Sequence, residues 1–187
     1  MQFEKHFYFA RWVVGALLAS AYLHPFHIHP FRTFYHDTLV VVGIFFGFGM
    51  LAFAARPRLY FPAITWLPIA IILVLMLQMS LGMVQVENII FPTMYLLLAA
   101  MAIMVGASWV QLPGGAEKIC LTLSVAHLAA ALLSVTMQCA QMSGVDMAPF
   151  VMAIAWQAQL RPFANVAQPN QLALLLCFGL ASVWWLH

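Results

Sequence analysis

The sequence predicts an all-α, polytopic membrane helix bundle of about six transmembrane helices plus one interfacial or re-entrant helix. Three observations lead there. Of 187 residues, 65% are apolar and 6% are charged, whereas a soluble domain is roughly 45–50% apolar and about 25% charged. The apolar residues are gathered into stretches of about the ~20 residues that a spanning helix needs. The polar and charged residues collect between those stretches. The same figures exclude a soluble globular domain and a disordered chain. Seven Lys/Arg against five Asp/Glu leave no basic face, so no nucleic acid is expected as a partner. The partner that composition does imply is the lipid bilayer.

The spans are read at about 7–23, 38–55, 60–84, 89–110, 119–141 and 170–186, within a single transmembrane domain over 1–187. Each is too long for a barrel strand and none alternates polar with apolar, so each is a helix, the structure that satisfies its own backbone in lipid. In the first, Lys5 and Arg11 precede Trp12–Leu23, which includes Ala19-Ser20-Ala21, a small-x-small pattern like a signal-peptidase site. An uncleaved first span is favoured because further spans follow directly. Arg11 lies near its start and can snorkel to the cytoplasmic face. The stretch 145–160 is apolar, with Pro149 and Trp156, but short and bounded by Asp146 and Arg161. It suits an interfacial or re-entrant helix better than a seventh span.

Lys5, Arg11, Arg56, Arg58 and Lys118 fall on one side of this arrangement, and Arg32 and Arg161 on the other. By the positive-inside rule the N-terminus is cytoplasmic. The connections 24–37, 85–88 and 142–169 then face outward, which is the periplasm if the membrane is a bacterial inner membrane.

In so apolar a chain, polar groups near the bilayer carry the information, since each costs free energy unless it pairs or lines a wet cavity. The loop His24-Pro-Phe-His27-Ile-His29-Pro-Phe-Arg32-Thr-Phe-Tyr35-His36-Asp37 sets four His, an Arg and an Asp among aromatics. Its His spacing matches no familiar zinc pattern, and no Cys or Glu accompanies it, so no metal is expected. Interfacial polar residues without chemistry, or recognition of an anionic head group through Arg32, fit it better.

At the end of the fifth span, Gln138 and Gln141 share a helix face, followed by Ser143, Gly144 and Asp146. They suit interhelical bonding or a substrate contact equally. Arg161-Pro-Phe-Ala-Asn165-Val-Ala-Gln168-Pro169-Asn170-Gln171 leads into the last span. Pro169 suits a first helical position, Gln168 a cap, and Asn170 and Gln171 the opening turn, where free N–H groups favour an anion. His127, midway through the fifth span, is a functional candidate whose plain alternative is a bond to a neighbouring carbonyl. Cys120, Cys139 and Cys177 have neither metal nor redox spacing and read as packing residues, and no cofactor is expected.

The run Asn165-Val-Ala-Gln168-Pro-Asn170-Gln-Leu172-Ala before an apolar helix resembles the segment found in PglL-like, pilin-type protein O-oligosaccharyltransferases, relatives of the O-antigen ligases. Phe34-Tyr35-His36-Asp37 looks like that family's first outer loop, and Gln141-Met-Ser-Gly144 like its Gln-x-x-Gly at a helix end. The three occur in the family's order. The resemblance implies a multi-pass inner-membrane enzyme that transfers a glycan from undecaprenyl diphosphate to a hydroxyl of a secreted acceptor protein such as a pilin, in the periplasm. It further implies that Arg32, Gln141, Arg161, Asn165, Gln168 and Asn170 bind substrate, with His36 and Asp37 as candidates for the catalytic base.

The likeness is to the amino-terminal part of the family, whose members continue into a large periplasmic loop bearing a His and Arg residues. This sequence stops at Trp184-Trp185-Leu186-His187, so the 187-residue product is expected to be inactive alone. O-antigen ligase or polymerase activity and a non-catalytic, truncated membrane protein are the competing expectations.

Overall fold

A computed structural model of the chain describes residues 2–26, 34–52, 59–147, 149–151, 162–166 and 168–187. Among these residues the structure is all helical. It comprises α1 (Gln2–Leu23), α2 (Phe34–Ala52), a 3₁₀ turn (Ala63–Thr65) running into α3 (Trp66–Ser80), α4 (Glu87–Val110), α5 (Gly115–Ser143) and α6 (Pro169–Leu186). Five segments, Phe34–Leu51, Ala63–Ser80, Glu87–Val110, Gly115–Ser143 and Pro169–Leu186, are long and apolar enough to cross a membrane. The apolar part of α1, Phe7–Leu23, is a shorter helix. This is the polytopic helical membrane class that the composition predicts.

The helix ends differ from the sequence reading where local chemistry decides them. The chain is helical from Phe34, so Tyr35, His36 and Asp37 stand on the first turn of α2 rather than in the loop. There the Asp37 carboxylate meets the positive end of the helix dipole. The third helix stops at Ser80 because Gly82 adopts φ +69°, and the Met83 amide donates to the Gln78 carbonyl at 2.9 Å, a Schellman closure. The connection before α4 is therefore 81–86. Helix α5 starts at Gly115, taking Glu117 into its first turn. It ends at Ser143 by the same device as α3, with Gly144 at φ +68° and the Val145 amide donating to the Ala140 carbonyl at 3.2 Å. The interfacial or re-entrant helix expected over 145–160 lies for the most part outside the described residues; 145–147 have no regular structure, and 149–151 form a turn and a bend.

The chain divides into two compact units, Met1–Ala10 with Ile44–Ile119, and Arg11–Gly43 with Cys120–His187. In the first, α3 packs on α4. The Phe7 ring meets Trp109 edge-on at 5.3 Å. The Tyr60 amide donates to Ser108 Oγ at 2.9 Å, and that hydroxyl donates back to the Met104 carbonyl at 2.6 Å. Lys118 donates to the Pro113 carbonyl at 3.0 Å and lies over the Tyr8 ring at 4.8 Å. The outward side chains of α3, among them Trp66, Leu67, Leu73 and Leu77, stay exposed, as lipid-facing side chains are.

The second unit has its core at Ala130, Ala164, Val166, Leu172 and Leu175, against which Ala19, Tyr22, Met137 and Leu176 pack. Helices α5 and α6 approach so closely that a Cβ on Gly179 would lie 2.5 Å from the Ala131 Cβ. Arg11 does not snorkel outward; it is buried, with its guanidinium 5.1 Å from the Trp12 ring centroid. Stacking on the neighbouring indole replaces the expected reach to the membrane surface.

Candidate functional site

The second unit contains a cleft of about 250 Å³ whose walls come from α1, α2, α6 and the segment before α6. Tyr22 lies in the last turn of α1. His36 and Asp37 lie on the first turn of α2, with Val40 one turn further along. Val166 and Gln171 bracket the start of α6, and Leu174, Leu175 and Phe178 continue down that helix. The polar groups thus stand where α2 and α6 begin. The apolar wall follows deeper, Phe178 being about 10 Å along the axis from Gln171 at 1.5 Å per residue.

The polar lip has defined hydrogen bonding. His36 Nε2 lies 3.1 Å from the His24 carbonyl oxygen, which can only accept, so this nitrogen carries the hydrogen. The amide of Phe26 donates to His24 Nδ1 at 3.3 Å. The His24 ring also packs on Tyr35 at 5.0 Å. The backbone beyond α1 is therefore tied to the first turn of α2. Behind the cleft, the His127 ring lies 5.9 Å from Tyr22 and 5.2 Å from Phe178. Its Nδ1 is 2.8 Å from the carbonyl of Leu123, one turn earlier on its own helix. The carbonyl bond considered for this His is thus made within α5.

At the entrance to α6, Gln168 occupies the N-cap position with an extended backbone, φ −141° and ψ 132°, and Pro169 opens the helix. The Gln168 carbonyl accepts the first helical bond, from the Leu172 amide at 3.1 Å. Its side chain makes no capping bond. That departs from the expected cap, and side-chain length explains it: preferred caps are the short Ser, Thr, Asp and Asn, one methylene or more shorter. Asn170 and Gln171 follow, on the turn whose amides have no partner within a helix; Gln171 lines the cleft, and Asn170 is exposed.

Gln141 and Asn165 bond to backbone. Gln141, buried in the last turn of α5, donates through Nε2 to the Ala164 carbonyl at 2.9 Å. Its Oε1 accepts from the amides of Ala164 at 2.8 Å and Phe163 at 3.2 Å. Asn165 is fully buried, and its Nδ2 donates to the Leu23 carbonyl at the end of α1 at 2.7 Å and to the Phe150 carbonyl at 2.8 Å. Between them Ala164, also fully buried, adopts φ +51°.

Of the residues singled out in sequence, the structure brings His36, Asp37 and Gln171 to the cleft, places Asn165 in the turn before α6 and bonds Gln141 to the backbone of that turn. Arg32 and Arg161, like His27 and His29, lie outside the described residues. Among the described residues no group of three or more His, Cys, Asp or Glu is placed to hold a metal ion. The sequence reading missed Tyr22 and Phe178. Helical spacing held a usable signal, since Gln171, Leu174, Leu175 and Phe178 follow the i, i+3, i+4, i+7 pattern of one helix face.

A family model described as protein glycosylation ligase matches residues 162–187. The chain is 26% identical over 176 residues to a general O-oligosaccharyltransferase of Acinetobacter baylyi, an alignment covering 93% of this chain and 30% of that protein. The chain thus spans about a third of the length of the curated relative it matches. No solved structure matches. The matched family segment begins at the turn before α6 and includes the Gln168–Asn170 entrance and one wall of the cleft. The chain accordingly resembles PglL-like protein O-oligosaccharyltransferases, over most of its length in the one relative and over residues 162–187 in the family model.

Proposed function

We propose that the chain is the donor-side, membrane-embedded portion of a protein O-glycosylation ligase, and that its cleft takes the lipid end of a glycan carried on undecaprenyl diphosphate. The observation that carries this is the cleft's polarity. His36, Asp37 and Gln171 stand at the starts of two helices, and Val40, Leu174 and Phe178 lie further into the membrane-spanning part. That order matches a ligand with a charged, hydroxylated head and a hydrocarbon chain. Helix α5 supports it: 29 residues make about 44 Å at 1.5 Å per residue, against a hydrocarbon core of roughly 30 Å. The Gln141 end of α5 can then stand at head-group level.

On this proposal the cleft opens to the periplasmic side of the inner membrane, and the acceptor is a hydroxyl of a secreted protein such as a pilin. The hydroxyl oxygen attacks the anomeric carbon, the bond from that carbon to the diphosphate oxygen breaks, and undecaprenyl diphosphate leaves with the bonding electrons. The hydroxyl proton passes to a base. His36 and Asp37 are the candidates for it in the described cleft wall. Charge on the diphosphate calls for cations and N–H donors. Arg161 and Arg32, with Gln168, Asn170 and the amides at the start of α6, are the groups proposed for that task.

Binding of undecaprenyl diphosphate to the purified chain in nanodiscs, with undecaprenol as control, tests this. Binding to the diphosphate lipid but not the alcohol is expected. Asn170→Ala and Arg161→Ala should each weaken it by about tenfold or more, the scale of a lost hydrogen bond to a charged group. Equal binding of both lipids, or affinity unaltered in both variants, overturns the proposal.

A further inference from the structure

We propose that Gln141 and Asn165 are positioning residues. They hold the buried left-handed turn at Ala164, which fixes where α6 begins and where Val166 and Gln171 stand in the cleft wall, and they do not themselves contact the donor. The inference rests on the cleft being the donor site, and it assigns to these two amides a part different from substrate binding.

The bonds leave little else for them to do. Gln141 Nε2 and Oε1 together engage the carbonyl of Ala164 and the amides of Ala164 and Phe163 at 2.8 to 3.2 Å. A side-chain amide facing both the N–H and the C=O of one residue replaces the strand or helix partner which that buried backbone lacks. Ala164 needs it, because a residue with a Cβ at φ +51° is held there only when its surroundings determine it. Asn165 then anchors the turn to two other places, the last carbonyl of α1 and the carbonyl of Phe150. The Leu23 carbonyl is one of the helix-end acceptors without an intrahelical donor. The turn is thus fastened to α5 through Gln141 and to α1 through Asn165. Val166, two residues past Ala164, and Tyr22, next to Leu23, both line the cleft. A shift of this turn is a shift of the cleft wall.

The decisive experiment uses Ala164→Gly as a rescue. Glycine adopts the left-handed turn without strain, so it supplies by conformation what Gln141 supplies by bonding. In the full chain, with Cys120, Cys139 and Cys177 replaced by Ala and Gln171→Cys introduced, the rate of labelling by a charged methanethiosulfonate reports the cleft wall. Gln141→Leu is expected to change that rate several-fold, and Gln141→Leu with Ala164→Gly to return it toward the parent. With Gln171 intact, affinity for undecaprenyl diphosphate should fall about tenfold to a hundredfold in Gln141→Leu, the scale on which misplacement by ~1 Å costs, and recover in the double variant. Asn165→Asp, which keeps size but removes both donated bonds, should alter labelling in the same way.

Recovery of labelling without recovery of affinity would make Gln141 a direct ligand of the donor and overturn the inference. So would a labelling rate that Gln141→Leu leaves unchanged. If the parent chain fails to bind undecaprenyl diphosphate at all, the donor-site proposal falls, and the labelling arm alone decides whether the two amides position the wall.

Discussion

Ala164 shows how much of the site is decided by single residues. Its φ of +51° carries a penalty of roughly 1–2 kcal/mol for a side chain with a Cβ. Glycine would remove that penalty but would also gain freedom in the unfolded chain, worth about 0.4–1 kcal/mol. Ala164→Gly alone is therefore expected to leave stability unchanged or raise it by up to about 1.6 kcal/mol, read as a thermal midpoint in detergent that does not fall. A clear fall would mean that the Ala164 methyl packs in the core more tightly than its place beside Ala130 and Leu175 implies. Gln141→Leu should go the other way, by at least about 2 kcal/mol, since it strands the buried N–H and C=O of Ala164 and the part-buried amide of Phe163. The sequence offered Gln141 and Asn165 as polar residues within family-like motifs and as substrate contacts, not as partners of backbone. Their partners were illegible because a backbone carbonyl leaves no mark in sequence, and those of Asn165 lie 142 and 15 positions away. The turn itself was hidden because alanine, unlike glycine, does not advertise a left-handed backbone.

At the scale of elements, the helices were legible and their ends were not. Apolar runs near 20 residues leave few alternatives in a membrane. Their ends depend on Gly82 and Gly144 in left-handed positions and on Pro169, with tolerances of a turn. That tolerance mattered at α2, where one turn decides whether His36 and Asp37 belong to a loop or to a helix that aims them into a cleft. Helix packing gives a sharper test. Gly179 is buried against Ala131 and the carbonyl of His127, so the α5 and α6 backbones approach as only small residues allow. Gly179→Val should destabilise the second unit by about 1–3 kcal/mol, as overpacking does. Leu180→Val, one position on at 72% exposure, should change stability by less than about 0.5 kcal/mol. Equal effects of the two in thermal unfolding would show that α6 is not seated on α5 through Gly179.

At the scale of the whole molecule, parity is the quantity that matters. If all six helices cross the membrane, residues 2 and 187 lie on the same side; if α1 does not cross, they lie on opposite sides. Five helices qualify by length and hydropathy, while the apolar part of α1 is 17 residues, about 26 Å at 1.5 Å per residue, near the lower limit for a span. Arg11 is buried beside Trp12, so its guanidinium does not face the lipid along this helix. The excess of Lys and Arg near the N-terminus, at Arg56 and Arg58 and at Lys118 pulls all three places to the cytoplasm. An α1 that does not cross would leave Lys5 and Arg11 on the same side as Arg32. Six spans with a cytoplasmic N-terminus are therefore expected. Fused to residue 187, a fluorescent protein that matures only in the cytoplasm should be bright, and alkaline phosphatase at the same place should be inactive. Phosphatase inserted after Val145 should be active, since the Gln141 end of α5 and the cleft must face the side where a secreted hydroxyl is met. An active phosphatase at residue 187 would reverse α6, put the start of that helix and the polar lip of the cleft in the cytoplasm, and remove the periplasmic donor site with it.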